Sequence, residues 1–204
     1  MKVFLFTIIG FLLGSIPFSM IIGRLAAGVD IRQVGDHNPG ATNVYRAAGI
    51  AWYIPALLLD SLKGAVPVGV AWFLVGVEGW QIIPIALAPV FGHAFSPWLG
   101  FRGGKAVATT FGIWTGLSLA AGPIVLGVLL VLMYALITID AWAMIFAFSL
   151  FGVYIFKFYF PIYPSFLVIW GLNLVLLIWV HRADLVQKPA LRPILWFRRS
   201  RRGK

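Results

Sequence analysis

The residues best suited to chemistry lie in 91–110, FGHAFSPWLGFRGGKAVATT. His93 is followed by Ser96-Pro97 and Gly100, then by Arg102-Gly103-Gly104-Lys105, before small residues lead back into apolar sequence. Two cations and a glycine pair between apolar stretches suit an anion. Glycine lets backbone N–H groups approach a ligand with no Cβ in the way, and a nest of N–H groups beside Arg and Lys is what phosphate binding requires. The plain alternative for Arg102 and Lys105 is a cationic loop that only fixes topology. That alternative asks for neither His93 nor the glycine pair.

A second polar stretch, Gly35-Asp36-His37-Asn38-Pro39-Gly40-Ala41-Thr42-Asn43-Val44-Tyr45-Arg46, repeats the theme. Asn-Pro-Gly reads as a type II turn, with Pro39 setting φ and Gly40 accepting a positive φ. Thr42 or Asn43 is placed to cap a short helix through Ala48. A turn opening a helix with Arg46 one turn in again describes an anion site, against a capped turn with no ligand. Asp60 and Lys63, three residues apart, share a helix face and can pair. Charges at membrane depth are costly, which marks them as functional or as a pair that locks packing. His181-Arg182 closes the last apolar run, where a histidine also favours the helix dipole.

The elements that position these residues are membrane helices. Of 204 residues 61% are hydrophobic and 11% charged, and the mean hydropathy is +0.97. That is too apolar for a water-soluble core and surface, and the apolar runs are long enough to cross a bilayer. With no cysteine, disulfides and Cys-ligated metals are excluded. Much of the net charge of +10 sits in the tail 182–204 beside a membrane, so anionic headgroups explain it better than nucleic acid.

The spans read as 3–23, 49–76, 82–101, 106–120, 123–139, 141–156 and 160–181, seven helices in one polytopic domain. The run 106–139 holds 34 uncharged residues, too many for one span, and Ala120-Ala121-Gly122-Pro123 is its natural break. In span one Gly10 and Gly14 form GxxxG, and Ser15, Ser19 and Gly23 recur at every fourth residue, which reads as close helix packing. Seven spans put thirteen of the sixteen Lys and Arg on one side, three in the first loop, two in the hairpin and eight in the tail. The charge bias then places the C-terminus in the cytoplasm and the N-terminus outside.

Residue by residue, the loops resemble those of the bacterial acyl-phosphate:glycerol-3-phosphate acyltransferases, the PlsY type. Gly35 to Arg46 resembles their GSxNPGATNvxR, and Gly92 to Thr109 their GHxFpxfxgFkGGKgvAT. Gly14-Ser15-Ile16-Pro17-Phe18 is similar to their first motif, Leu59 to Gly64 to their LDxxKG, and His181-Arg182 to their closing HR. The resemblance runs from residue 10 to about 185. Asp36 stands where Ser is usual, His37 where Gly is usual and Asp184 where Asn is usual, and the arginine-rich tail replaces the usual downstream residues.

The resemblance implies acyl transfer from acyl phosphate to the 1-hydroxyl of sn-glycerol 3-phosphate, giving lysophosphatidate and phosphate, without acyl-CoA, cofactor or metal. It implies a multi-pass protein of the bacterial inner membrane, a cytoplasmic site, and a monomer. His93, Lys105 and Asn38 are the expected catalytic residues, with His93 more a positioning group than an essential base. Gly35, Asp36, Gly40, Thr42, Asn43, Arg46, Arg102, Gly103, Gly104, Lys63, His181 and Ser15 are expected to bind substrate phosphate. Asp60 and Lys63 form the expected ion pair. The alternatives are a membrane carrier for an organic phosphate and a paralogous acyltransferase with another phosphorylated acceptor.

Overall fold

The computed structural model describes residues 1–193, and among these the regular structure is helical apart from one isolated β-bridge. Span one is two helices, α1 (Lys2–Ser15) and α2 (Phe18–Ala27), because Pro17 has no N–H to donate and breaks the ladder. The short helix α3 (Ala41–Ala48) precedes α4 (Ile50–Gly69), which loosens into a π-turn over Val70–Leu74. Then come α5 (Ile82–Ala94), α6 (Val107–Ser118), α7 (Ala121–Leu136), α8 (Asp140–Phe158) and α9 (Pro164–His181). The break between α6 and α7 falls at Leu119, whose φ is 53°, so Pro123 sits inside the first turn of α7 rather than in the break.

Five segments, Lys2–Ala27, Ile50–Leu74, Gly79–Leu99, Asp140–Phe158 and Pro164–His181, are long and apolar enough to cross a membrane. Helix α7 is apolar but shorter, with 16 residues, and α6 has 12. Large apolar side chains such as Phe4, Leu12, Leu58, Val131 and Val175 point outward. Trp114, Phe148, Phe151 and Phe166 fill the interior. Apolar residues on both faces are what lipid on one side and a protein core on the other demand.

Two helix pairs approach closely through glycine. A Cβ on Gly14 of α1 would collide with the Pro89 backbone of α5, and one on Gly92 would collide with the Phe11 carbonyl. Between α4 and α6, Gly64 lies against the Thr109 carbonyl and Gly112 against the Ser61 carbonyl. Lipid supplies little drive for helices to associate, so such contact depends on small residues. The expected packing role of Gly10 and Gly14 is what the chain uses.

The Asp60–Lys63 pair sits where these helices converge. Lys63 Nζ lies 2.8 Å from Asp60 Oδ1, with both side chains 2% exposed. Lys63 also donates at 2.8 Å to the Ile16 carbonyl, which accepts from the Phe18 N–H at 3.1 Å as well, at the break before Pro17. The Ser19 hydroxyl of α2 donates to Asp60 Oδ2, and Thr109 of α6 donates to the Asp60 carbonyl at 3.0 Å. Removing one member of a buried pair leaves an uncompensated charge, a loss of about 3–5 kcal/mol. Lys63→Ala and Asp60→Ala are each expected to lower the melting temperature in detergent. The double variant should recover part of the loss. A double variant as damaged as the two singles combined would show that the residues are not coupled.

Candidate functional site

The loop after α2, the hairpin between α5 and α6, the end of α9 and the α7–α8 turn surround one cavity of about 900 Å³. Its polar wall includes Asp36, Asn38, Thr42, Arg46, His93 and Lys105, joined by His181 and Asp184. Its apolar wall includes Leu57 of α4, Phe111 of α6, and Leu130, Val131 and Tyr134 of α7. The space therefore offers cations at one part and a hydrocarbon-compatible face at another.

Lys105 is the hub of the polar wall. Its Nζ lies 2.6 Å from Asp36 Oδ2 and 2.9 Å from Asp184 Oδ2, and its backbone N–H donates to Asn38 Oδ1 at 3.1 Å. Asp36 Oδ1 accepts from Asn43 Nδ2 at 3.0 Å and from Arg46 Nη1 at 3.3 Å. Asn43 also donates to the Asn38 carbonyl at 2.8 Å and accepts from Arg46 at 2.7 Å. Three separate segments are thus tied through one ammonium group. Partial burial opposes ionisation of Asp36, but the bond and charge of Lys105 outweigh it and hold the carboxyl below the usual carboxylate range. Burial likewise works against the charged Lys105, and its bonds to Asp36 and Asp184 outweigh that and raise its pKa.

The glycines act differently from the N–H nest the sequence suggests. The Gly103 and Gly104 N–H groups donate to the Ala94 and His93 carbonyls at 3.0 and 3.2 Å, and the Arg102 N–H donates to Leu99. They are spent on the end of α5 and leave no free nest for a phosphate. What the hairpin needs from glycine is proximity: a Cβ on Gly104 would strike the His93 ring, and one on Gly103 the His93 carbonyl. Gly104 therefore walls His93 in place, buried and facing the cavity.

The first loop also departs from expectation. Gly40 has φ −119° and ψ 170°, so the turn is not type II. A Cβ there would come 2.7 Å from Asn38 Nδ2, and that space rather than a positive φ calls for glycine. The positive φ values fall instead at Gly35 and His37, 58° and 60°. Helix α3 starts at Ala41 with Gly40 before it and no side-chain cap, so Thr42 and Asn43 lie inside the helix. Asn43 is freed to brace Asp36, and Thr42 lines the cavity.

Of the expected residues, the cavity collects Asp36, Asn38, Gly40, Thr42, Arg46, His93, Lys105 and His181. His181 shares a 2.8 Å Nδ1 hydrogen bond with the Leu177 carbonyl, which orients its ring. Gly35 and Asn43 stand behind that wall, packed on the Arg46 guanidinium. Arg102 is exposed at the surface, Lys63 is turned to Ile16, and neither lines the cavity among the described residues. Ser15 is buried elsewhere, its hydroxyl donating to Leu12 at 2.7 Å and accepting from Trp98 at 3.1 Å. Asp60 contributes to the cavity besides forming its pair.

Residues 184–192, read from the sequence only as part of a basic tail, dock on the α7–α8 turn. After the 3-10 turn Asp184–Val186 the chain crosses to the α7–α8 turn. Thr138 donates to the Ala190 carbonyl from N at 2.9 Å and from Oγ1 at 3.0 Å. Ile137 pairs with Leu191 in an antiparallel bridge, and Trp142 Nε1 donates to the Gln187 carbonyl at 2.7 Å. This strap brings Asp184, Gln187 and Arg192 into the cavity wall, with Thr138 and Asp140 beside it. Sequence spacing carries no signal for that docking, although Thr138 and Asp140 are polar in an apolar region. The arginines at 198, 199, 201 and 202, and Lys204, lie outside the described residues.

A family model described as glycerol-3-phosphate acyltransferase matches residues 4–188. A glycerol-3-phosphate acyltransferase of an Anaeromyxobacter species is 52% identical over 112 residues, which are 53% of this chain and 55% of that protein. The chain thus spans about half the length of the first curated relatives it matches. A relative of the same name from Prochlorococcus marinus is 37% identical over 180 residues, 87% of this chain and 90% of that protein. The crystal structure of PlsY (YgiH), an integral membrane glycerol 3-phosphate acyltransferase, in its glycerol 3-phosphate form matches with a TM-score of 0.81 and 31% identity. It covers 91% of this chain and 90% of that one. Its lysophosphatidic acid form gives 0.79 and 30%, with the same coverage.

The clamp on Lys105 has a pH signature. Asp36 has a depressed pKa, so its contribution to stability is present above the unfolded value near 3.9 and lost as pH falls through the folded one. Lys105 has a raised pKa, so its contribution is present below about 10.4 and lost only as pH rises through the higher folded value. The melting-temperature difference between the wild type and Asp36→Asn should stay flat from about pH 5.5 to 9 and close towards pH 3. A difference that changes across the neutral range would show that the clamp is not ionised as described.

Proposed function

The chain belongs to the glycerol-3-phosphate acyltransferase family, and we propose that it moves a fatty acyl group from acyl phosphate to the 1-hydroxyl of sn-glycerol 3-phosphate. The products are lysophosphatidate and inorganic phosphate. The observation that carries this reading is a single cavity in which Lys105 and Arg46 stand at a polar wall continuous with the apolar wall of α4, α6 and α7. Such a space suits a small phosphorylated acceptor together with a donor whose tail is hydrocarbon.

In the proposed reaction the acceptor hydroxyl attacks the acyl carbon, an ester C–O bond forms, and the mixed-anhydride C–O bond to phosphate breaks. The departing phosphate takes the hydroxyl proton, and no covalent enzyme intermediate is required. Lys105 and Arg46 hold the phosphate of glycerol 3-phosphate through charge-assisted hydrogen bonds. His93, fixed by Gly104, orients the hydroxyl. Asn38 acts through Lys105, whose backbone N–H it accepts, and Asp36 orients both cations. Neither cofactor nor metal has a part in the scheme.

The decisive assay follows phosphate release from purified protein given palmitoyl phosphate and glycerol 3-phosphate. Turnover is expected with palmitoyl phosphate and little with palmitoyl-CoA. Comparable rates with the two donors would reject the mechanism. Asp36→Ser separates orientation from base catalysis. If Asp36 only orients cations, KM for glycerol 3-phosphate should fall several-fold, since repulsion on the order of 1 kcal/mol is removed. A collapse of kcat with KM unchanged would make Asp36 the base.

The proposed setting is the bacterial inner membrane, crossed seven times by a monomer, with the N-terminus outside and the cavity and C-terminus facing the cytoplasm. The charge asymmetry of the loops supports this orientation. The chain has no cysteine, so single substitutions report topology cleanly. In right-side-out vesicles Glu78→Cys should react with an impermeant maleimide, and Val34→Cys only after permeabilisation. The opposite pattern would invert the topology.

A further inference from the structure

We propose that Arg192 binds the phosphate of the acyl donor, at a subsite distinct from the Arg46–Lys105 part of the cavity. The inference rests on the acyl-phosphate reading above and assigns its two phosphates to different cations.

Among the described residues three cations line the cavity: Arg46, Lys105 and Arg192. The first two are already heavily paired. Lys105 carries two carboxylates at 2.6 and 2.9 Å, and Arg46 shares Asp36 while bonding Asn43. Arg192 is different. Its one carboxylate neighbour among the described residues, Asp140, stands at 3.8 Å and has a side chain 74% exposed. An ion pair so long and so wet holds a guanidinium weakly. Arg192 is the least neutralised of the three.

It is nonetheless held in place. The Arg192 backbone N–H donates to the Leu136 carbonyl at 2.7 Å, and Nε donates to the Ile137 carbonyl at 2.9 Å. With Nε committed, the terminal nitrogens of the fork remain for an oxyanion, the geometry in which arginine binds phosphate best. These two anchoring carbonyls close the C-terminal end of α7, the helix that supplies much of the apolar wall.

That continuity selects the donor over the acceptor. Gly127, Leu130, Val131 and Tyr134 of α7 line the cavity over roughly 10 Å of helix at 1.5 Å per residue. An acyl chain laid along this face ends, at the close of α7, beside Arg192 and Thr138. Glycerol 3-phosphate has no hydrocarbon to occupy that face and is served by Lys105 and Arg46. The two substrates would then meet between the subsites, which orders the reaction by position.

The test uses the full chain in detergent, with Arg192→Ala, Arg192→Lys and Trp142→Phe. The last removes a strap hydrogen bond, Trp142 Nε1 to Gln187, without touching the guanidinium. Arg192→Ala should raise KM for palmitoyl phosphate by roughly ten-fold or more, the scale of losing a charge-assisted bond. KM for glycerol 3-phosphate should stay within about two-fold. Arg192→Lys should recover part of the loss, and Trp142→Phe should leave both values near those of the wild type. Hexadecylphosphonate, a donor mimic that cannot transfer an acyl group, should bind the wild type and bind Arg192→Ala about ten-fold more weakly. Equal rises in both KM values, an unchanged donor KM, or the same donor defect in Trp142→Phe would overturn the assignment. If the wild type turns over no acyl phosphate yet binds the phosphonate through Arg192, the anion subsite stands and the proposed donor falls. If the wild type turns over acyl phosphate while phosphonate binding ignores Arg192, the subsite falls and the function stands.

Discussion

Everything in this molecule that must be exact in position leans on a charge pair buried where four helices meet. A bilayer offers no water to an unpaired carbonyl, so a helix that breaks inside it needs a donor from elsewhere in the protein. Pro17 makes such a break, and Lys63 joins the Phe18 N–H as a donor to the Ile16 carbonyl. Lys63 in turn needs Asp60, and Asp60 takes the Ser19 hydroxyl and offers its carbonyl to Thr109. The same break is pinned from its other side by Ser96 and Trp98, which donate to the Ser15 carbonyl and hydroxyl. The hairpin that presents Lys105 follows directly after Trp98. Its position is therefore set by that kink together with the Gly103 and Gly104 N–H bonds to the end of α5.

The polar wall shows a second economy of charge. Lys105 is already paired with Asp36 and Asp184, so in the proposed reaction a phosphate bound there exchanges one anion for another. Exchange gives less affinity than addition of a new partner, but it keeps three segments in register while the cavity is empty. Asp36 also holds Asn43 and Arg46, which fixes it. Asp184 lies on a short turn leading into the strap and is joined to the site through Lys105.

Much of this arrangement is legible in the sequence because it depends on short spacings. Asp60 and Lys63 pair at three residues' separation on a helix, and the conjunction of His93, paired glycines and Lys105 marks the hairpin. Other features depend on long-range geometry and carry no local mark. Gly40 looks like a residue needed for positive φ, yet it is needed for room beside Asn38. Thr42 and Asn43 look like caps, but the helix starts at Ala41 with Gly40 before it and turns Asn43 to other work. Gly103 and Gly104 look like a phosphate nest, but the hairpin folds back on α5 and consumes their donors. The strap was the least visible, since a basic segment after the last span satisfies the charge rule whether or not it docks.

The shortness of α7 carries a consequence for the lipid around it. Its 16 residues reach roughly 24 Å, against a hydrocarbon core of about 30 Å. Ile124, Val128 and Leu132 are exposed along its length, so in the proposed seven-span setting lipid rather than protein meets that deficit. Neighbouring acyl chains must shorten or tilt, at fractions of a kcal/mol per ångström. That setting puts a local thinning of the bilayer beside the same helix that lines the cavity. Thin, disordered membranes suit such a shape, and thick, ordered ones resist it.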